Sequence, residues 1–168
     1  EWVLSREKRE ALFSMLDAAG VVRLQNEYRL LKKGQASIVL AGVDDPNGPY
    51  DQKRPAQLVR EIRQSRGRDA YILMLSHRND ELDLWANMGV QTVLCGHGHG
   101  GIVRLPFVGA VFGTHLDLFP DYTAGLYQKG QTSMIVSRGL GGSRKLPLRI
   151  GNRPEIVTVI LKAESGKV

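Results

Sequence analysis

The segment Cys95–Gly101 reads CGHGHGG, two histidines one residue apart among four glycines. A third histidine, His77, follows the apolar run AYILMLS at 70–76, and His97 follows the run QTVLC at 91–95. Loops that leave the ends of buried strands expose side chains on a rigid base, which is where sheet proteins gather their sites. Neutral imidazole is the commonest side-chain metal ligand at physiological pH. In an extended stretch, residues two apart point the same way. His97 and His99 are therefore expected to address one centre, with Gly98 offering no obstruction between them. Three imidazoles around one ion with an open position suit a hydrolytic or hydratase-like zinc site. The same histidines joined by carboxylates suit a pair of metals about 3.5–4 Å apart. The carboxylate candidates are Asp44 and Asp45 in AGVDDP and Asp80 in SHRND, although Asp-Asp and Asp-Pro after a strand ordinarily form turns. The fourth histidine, His115 in FGTHLDLF, has no comparable setting and reads as a loop or packing residue.

Basic groups near such a centre would serve an anionic substrate. Arg138 in SRGLGG is suited to meet a phosphate with its guanidinium, or the segment is simply a tight turn. Arg144, Lys145 and Arg149 in GGSRKLPLR read either as further anion contacts or as a solvated loop. The apolar stretch IVRLPFVGAVF reads by default as core packing, with a cover over the site or contact with a lipid tail as the alternatives.

The elements that must position these residues follow from periodicity. Residues 5–19 form a helix capped by Ser5, with Leu12, Met15, Leu16 and Ala19 on one apolar face and Gly20 as the stop. GVVRL, EYRLL and ASIVLAGV are strand candidates, the last two joined by a hairpin turn at KKGQ. A second helix begins near Pro55 and turns Leu58, Val59 and Ile62 inward. AYILMLS and QTVLC have the continuous apolar character of strands covered on both faces, with the short helix DELDLWANMG between them. Beyond Gly101 come Gly- and Pro-rich loops, then the strands TSMIVS (132–137) and EIVTVIL (155–161). The class is mixed α/β, in one domain without repeats or linkers.

A chain of 168 residues, 42% hydrophobic and 24% charged, has the balance of a globular domain. It contains no apolar run of the roughly 18 residues that a membrane span needs. The first ten residues, EWVLSREKRE, lack a signal-peptide core and an initiator Met, so the native N-terminus is expected upstream. Cytoplasmic and peripheral-membrane locations both remain open. Cys95 is the sole cysteine, which excludes an internal disulfide. The net charge of +6 suits an anionic partner, but the basic residues are scattered and not interleaved with aromatics, so specific nucleic-acid recognition is not expected.

ILMLSHRND, VLCGHGHGGIVRLPFVG, MIVSRGLGGS and RPEIVTVIL, in that order, resemble the C-terminal half of the calcineurin-like metallophosphoesterases, in a bacterial branch of that family. The resemblance covers nearly the whole chain. It implies a four-layer αββα sandwich, of which these residues supply mainly the second mixed sheet and its helices. It implies two divalent metals (manganese, iron or zinc), with His77 and His97 on one and His99 on the other. The implied activity is hydrolysis of a phosphate mono- or diester, lipid- or nucleotide-linked esters included, by a hydroxide bridging the metals. The family's earlier motifs, Asp-x-His, Gly-Asp-x-x-Asp and Gly-Asn-His-Asp/Glu, do not occur here. No catalytic residue is therefore assignable on this chain, which is expected to lack its N-terminal half and to need it, or a companion chain. Gly98 and Ile102 replace two polar residues of the family's Gly-His-Thr-His-Gly-Gly-Gln, and Arg78-Asn79-Asp80 stands where Asn-Pro-Asp is common. The alternatives are an inactive fragment or binding module, and a hydrolase with one zinc on three histidines.

Overall fold

A computed structural model describes residues 5–46, 48, 53–142 and 148–162. Arg144 and Lys145 lie outside the described residues. The chain forms α1 (Arg6–Ala18), β1 (Glu27–Lys33), β2 (Ala36–Gly42), α2 (Pro55–Arg66), β3 (Ile72–Leu75), α3 (Leu82–Asn87) and β4 (Thr92–Cys95). Then follow β5 (Val103–Leu105), β6 (Gly109–Phe112), β7 (Gly125–Lys129) and β8 (Thr132–Val136).

Six strands form one sheet in the order β1-β2-β3-β4-β8-β7, and β5 pairs with β6 in a separate hairpin. The inner strands β2, β3, β4 and β8 run parallel, while β1 and β7 close the edges antiparallel. Both edge hairpins turn on the same dipeptide. Gly34-Gln35 and Gly130-Gln131 each put a glycine of positive φ (60° and 58°) first, as a two-residue turn that follows strand twist requires.

Alternate residues of the inner strands build the core, although Leu73 and Thr92 on the other face are buried as well. Val39, Ala41, Ile72, Met74, Val93, Cys95, Met134 and Val136 share one sheet face and are buried against Leu58, Val59 and Ile62 of α2 and Leu82 and Trp85 of α3. The connections β2-α2-β3 and β3-α3-β4 step the same way across the sheet, and crossovers of one hand then put both helices on one face. The opposite face carries Leu31, Leu75 and Leu126, all exposed, beside half-buried Leu40, Leu94 and Ile135. The described residues thus make a helix layer on a mixed sheet, and leave the second sheet face apolar and partly open.

Four local expectations change. GVVRL is a connection rather than a strand; its Leu24 lies over Gly42, where a Cβ would fall 2.7 Å from the Leu24 Cβ. Helix α1 is capped by Ser5 as expected, but none of its residues is buried, so its apolar face meets no core among the described residues. EIVTVIL forms no strand: Ile156 and Ile160 are 82% and 75% exposed, because β-propensity needs a neighbouring strand and a surface to cover. The stretch read as core packing folds as the β5–β6 hairpin, burying Ile102 and Ala110 while exposing Leu105, Phe107 and Val108. A two-stranded hairpin has too little surface to hide both of its faces.

Candidate metal centre

Because β2, β3, β4 and β8 are parallel, their C-terminal ends share one sheet edge. The loops that leave them bring Asp44 and Asp45, His77 to Asp80, His97 to Gly101, and Ser137 to Gly139 into a row. Backbone pairing continues past the strands and fixes that row. Val43 N–H donates to the Leu75 carbonyl (3.1 Å), Ser76 to Leu94 (3.0 Å), Gly96 to His77 (3.3 Å) and Ser137 to Cys95 (2.9 Å).

The rings of His77 and His97 meet edge to face with centroids 4.4 Å apart. The Asp45 carboxylate lies 3.6 Å from His77 Nε2 and 3.2 Å from Arg78 Nη2. Asp44 is occupied elsewhere: it accepts from Asn26 Nδ2 at 2.9 Å, and its own N–H donates to Asn26 Oδ1 at 3.2 Å. Asp44 thus serves the turn, while Asp45 faces the histidines. Burial is the main influence lowering the His99 pKa. Positive charge at Arg149 and then His77 adds to it, against a hydrogen bond to the Gly141 backbone. Those influences favour the neutral ring, the form that binds a metal. Among the described residues no three His, Cys, Asp or Glu side chains close on one metal ion by themselves.

His97 and His99 are not in an extended stretch. Their φ values are 67° and 49°, and the loop coils on Gly98 N–H to Gly96 O and Gly101 N–H to Gly98 O, both 2.8 Å. A left-handed backbone costs an L-residue about 1–2 kcal/mol, and strain of this kind gathers at functional sites. The glycines admit the coil: Gly100 has φ 75°, and a Cβ there would fall 2.5 Å from Arg138 Cγ.

A cavity of about 430 Å³ opens beside His97, walled by Arg78, Asp80, His115, Asp117 and Tyr122 among others. His115, read from the sequence as a packing residue, has its ring 5.4 Å from that of His97. The signal was present, since His115 leaves the apolar run GAVF through Gly113, as His97 leaves its own run through Gly96. Two of the three departures from the family motifs also meet in space. A Cβ at Gly98 would lie 3.0 Å from Asn79 Nδ2, which donates to the Tyr122 carbonyl at 2.8 Å. Asn79 uses the room that Gly98 leaves. Ile102, the third departure, is 3% exposed.

Arg138 is held by Glu155, with Nη2 2.5 Å from Oε2 and its backbone N–H 2.9 Å from Oε1. Arg149 donates to the carbonyls of Arg138 (2.8 Å), Gly139 (3.3 Å) and Gly141. Cys95 contributes no thiolate, because burial first, then Glu81 and Asp80, push its pKa up to about 12.

No family model and no solved structure matches the sequence. Curated proteins do. The chain is 34% identical over 153 residues to the metallophosphoesterase YkuE of Bacillus subtilis, covering 89% of this chain and 50% of that one. It is 31% identical over 130 residues to a metallophosphoesterase of Aquifex aeolicus, covering 77% of this chain and 47% of the relative. The chain belongs to the metallophosphoesterase family. A further relative, the phosphodiesterase YaeI of Escherichia coli, is 28% identical over 155 residues, covering 92% of this chain and 53% of its own length. The chain therefore spans about half the length of the curated relatives it matches. No helix among its described residues is long and apolar enough to cross a membrane.

Proposed function

We propose that residues 1–168 are the C-terminal portion of a single phosphoesterase domain that hydrolyses a phosphate mono- or diester at two divalent metal ions. In this reading His77 and His97 ligate one ion, His99 ligates the other, and the rest of a longer protein contributes the further carboxylates. The observation that carries it is the edge-to-face contact of His77 and His97, rings 4.4 Å apart at the ends of adjacent parallel strands. The absence of any closed three-ligand group among the described residues favours a shared centre over a single zinc on three histidines. The half-open apolar face of the sheet suits a second sheet, as an αββα sandwich needs.

The chain's own side chains have distinct tasks. Asp45, 3.6 Å from His77 Nε2, orients that ring, as a carboxylate behind a ligating histidine does. Arg149 sets positive charge beside His99, where phosphoryl oxygens would gather. Arg138 offers a phosphate a guanidinium whose Nη2 is already held by Glu155. The cavity walled by His115, Asp117 and Tyr122, about 430 Å³ and open to solvent on one side, receives the organic part of the ester. Divalent ions bound at the histidines supply charge for the phosphoryl oxygens and a nucleophile active near neutral pH.

Elemental analysis of the full-length protein tests the reading. Two metals per chain are expected, falling to one or fewer in His97→Ala and His99→Ala, with manganese-dependent cleavage of a chromogenic phosphoester lost in both. A full-length protein that binds no divalent metal would overturn it.

A further inference from the structure

The coil that carries His97 and His99 is held from outside by two side chains: Arg104 Nη1 donates to the Gly100 carbonyl at 2.9 Å, and Asn152, 53 positions beyond His99, takes the carbonyls on either side. Asn152 is 2% exposed, and its Nδ2 donates to the His99 carbonyl at 2.8 Å and the Gly101 carbonyl at 2.6 Å. Both amide protons are thereby used. The opposite orientation of the amide would aim Oδ1 at two carbonyl oxygens, so the network decides which atom is which. Carbonyls 99 and 101 converge on one donor because His99, Gly100 and Gly101 all have positive φ, at 49°, 75° and 83°. The remaining side-chain atom closes the grip from above, since a Cβ at Gly100 would come within 2.9 Å of Oδ1.

Asn152 is anchored in turn. Ile150 N–H donates to the Ile102 carbonyl and Arg104 N–H to the Ile150 carbonyl, both at 2.8 Å. On the other side Glu155 is tied to Arg138, and its N–H donates to the Gly139 carbonyl at 3.1 Å. The segment 150–155 therefore spans the loops after β4 and β8 with Asn152 at its centre.

We propose that Asn152 is a positioning residue of the site, whose amide fixes the left-handed coil and so the directions of the His97 and His99 rings. The role rests on the reading of those histidines as metal ligands. It requires donation rather than mere packing. Asn152→Asp keeps the shape but offers an oxygen where a donor is needed, and faces two carbonyls with negative charge. Asn152→Ala removes the donor without adding repulsion.

The test is manganese titration of the full-length protein by calorimetry, with thermal unfolding of each variant alongside. Asn152→Asp is expected to weaken metal binding about 10–100-fold, the range for supports of a ligand, and Asn152→Ala by less. In the loaded enzyme kcat should fall more than KM rises. If Asn152→Asp binds manganese like the wild type while His99→Ala loses it, the positioning role is overturned and the ligand reading stands. If His99→Ala also binds normally, both fall. Should the Asp variant fail to fold, hydrogen exchange in the metal-free wild type decides. The Asn152 side-chain amide protons should exchange slowly, and free exchange with water would overturn the role.

Discussion

At the scale of single residues, the main revision concerns His115. It occupies the wall of the same cavity as His97, with ring centroids 5.4 Å apart, so the two are partners of unequal rank rather than site and bystander. His97→Ala should cost more than about 100-fold in kcat/KM, beyond what supports of a metal ligand cost. His115→Ala should cost less and act mainly through KM, because it alters the wall that meets substrate. Steady-state kinetics on one chromogenic ester separates them, and equal losses in kcat would contradict the ranking. The Asn79–Gly98 pair makes a second test. Gly98→Ala alone pushes a methyl to 3.0 Å from the Asn79 amide, whereas Gly98→Ala with Asn79→Ala relieves it. Denaturant unfolding of the cycle should give a coupling of about 0.5–3 kcal/mol, the double variant being more stable than the sum predicts. Additivity would mean the two substitutions are unrelated.

At the scale of elements, two short pieces carry more than their length suggests. Helix α3 has six residues, yet it places fully buried Trp85 against the sheet. Trp85→Ala should cost about 3–5 kcal/mol by leaving a cavity that the neighbouring strands cannot fill, measured as a shift in the unfolding midpoint. The segment 150–155 works through Glu155, whose pKa is lowered chiefly by the side-chain hydrogen bond from Arg138, against burial. A carboxylate with a depressed folded pKa stabilises above its unfolded value, near 4.5, and loses that contribution as pH falls through the folded value. Stability should therefore fall as pH is lowered below about 4.5, and Glu155→Gln should flatten that decline while lowering stability at neutral pH. An unchanged acid limb in the variant would show that the pair contributes nothing.

At the scale of the whole molecule, the sheet has one closed face and one open face. Leu75 and Leu126, 38% and 60% exposed, stand beside Leu40, Leu94 and Ile135 on the face away from the helices. Helix α1 adds Met15, 70% exposed, with no core to receive it among the described residues. Apolar surface on this scale seeks cover. Residues 1–168 expressed alone should therefore self-associate, hold fewer than two metals per chain and turn over phosphoesters at or near background. Sedimentation, elemental analysis and a chromogenic assay check the three points. A monomeric chain with two tightly bound metals and full turnover would show that its site is complete without further carboxylates.

Much of this was legible from residue types alone. Continuous apolar runs identified β3 and β4, Pro55 marked the start of α2, and the histidines expected at strand ends do lie there, after β3 and β4. Those signals are local: a buried parallel strand needs apolar residues on both faces, and a tight coil needs glycine, whatever lies elsewhere in the chain. Other features depended on partners far away in sequence. EIVTVIL has strand-forming residues but finds no neighbouring strand among the described residues. His115 comes to His97 only because the segment after β6 folds back, Phe119 N–H donating to the Val111 carbonyl at 2.9 Å. Asn152 looks like an ordinary loop residue until the two carbonyls of the histidine coil converge on it. Residue type and spacing determined which groups could do chemistry, since that depends on side-chain atoms and local backbone freedom. Only the tertiary structure decided which of them meet, because a contact between distant residues exists only once the sheet has brought their loops to one edge.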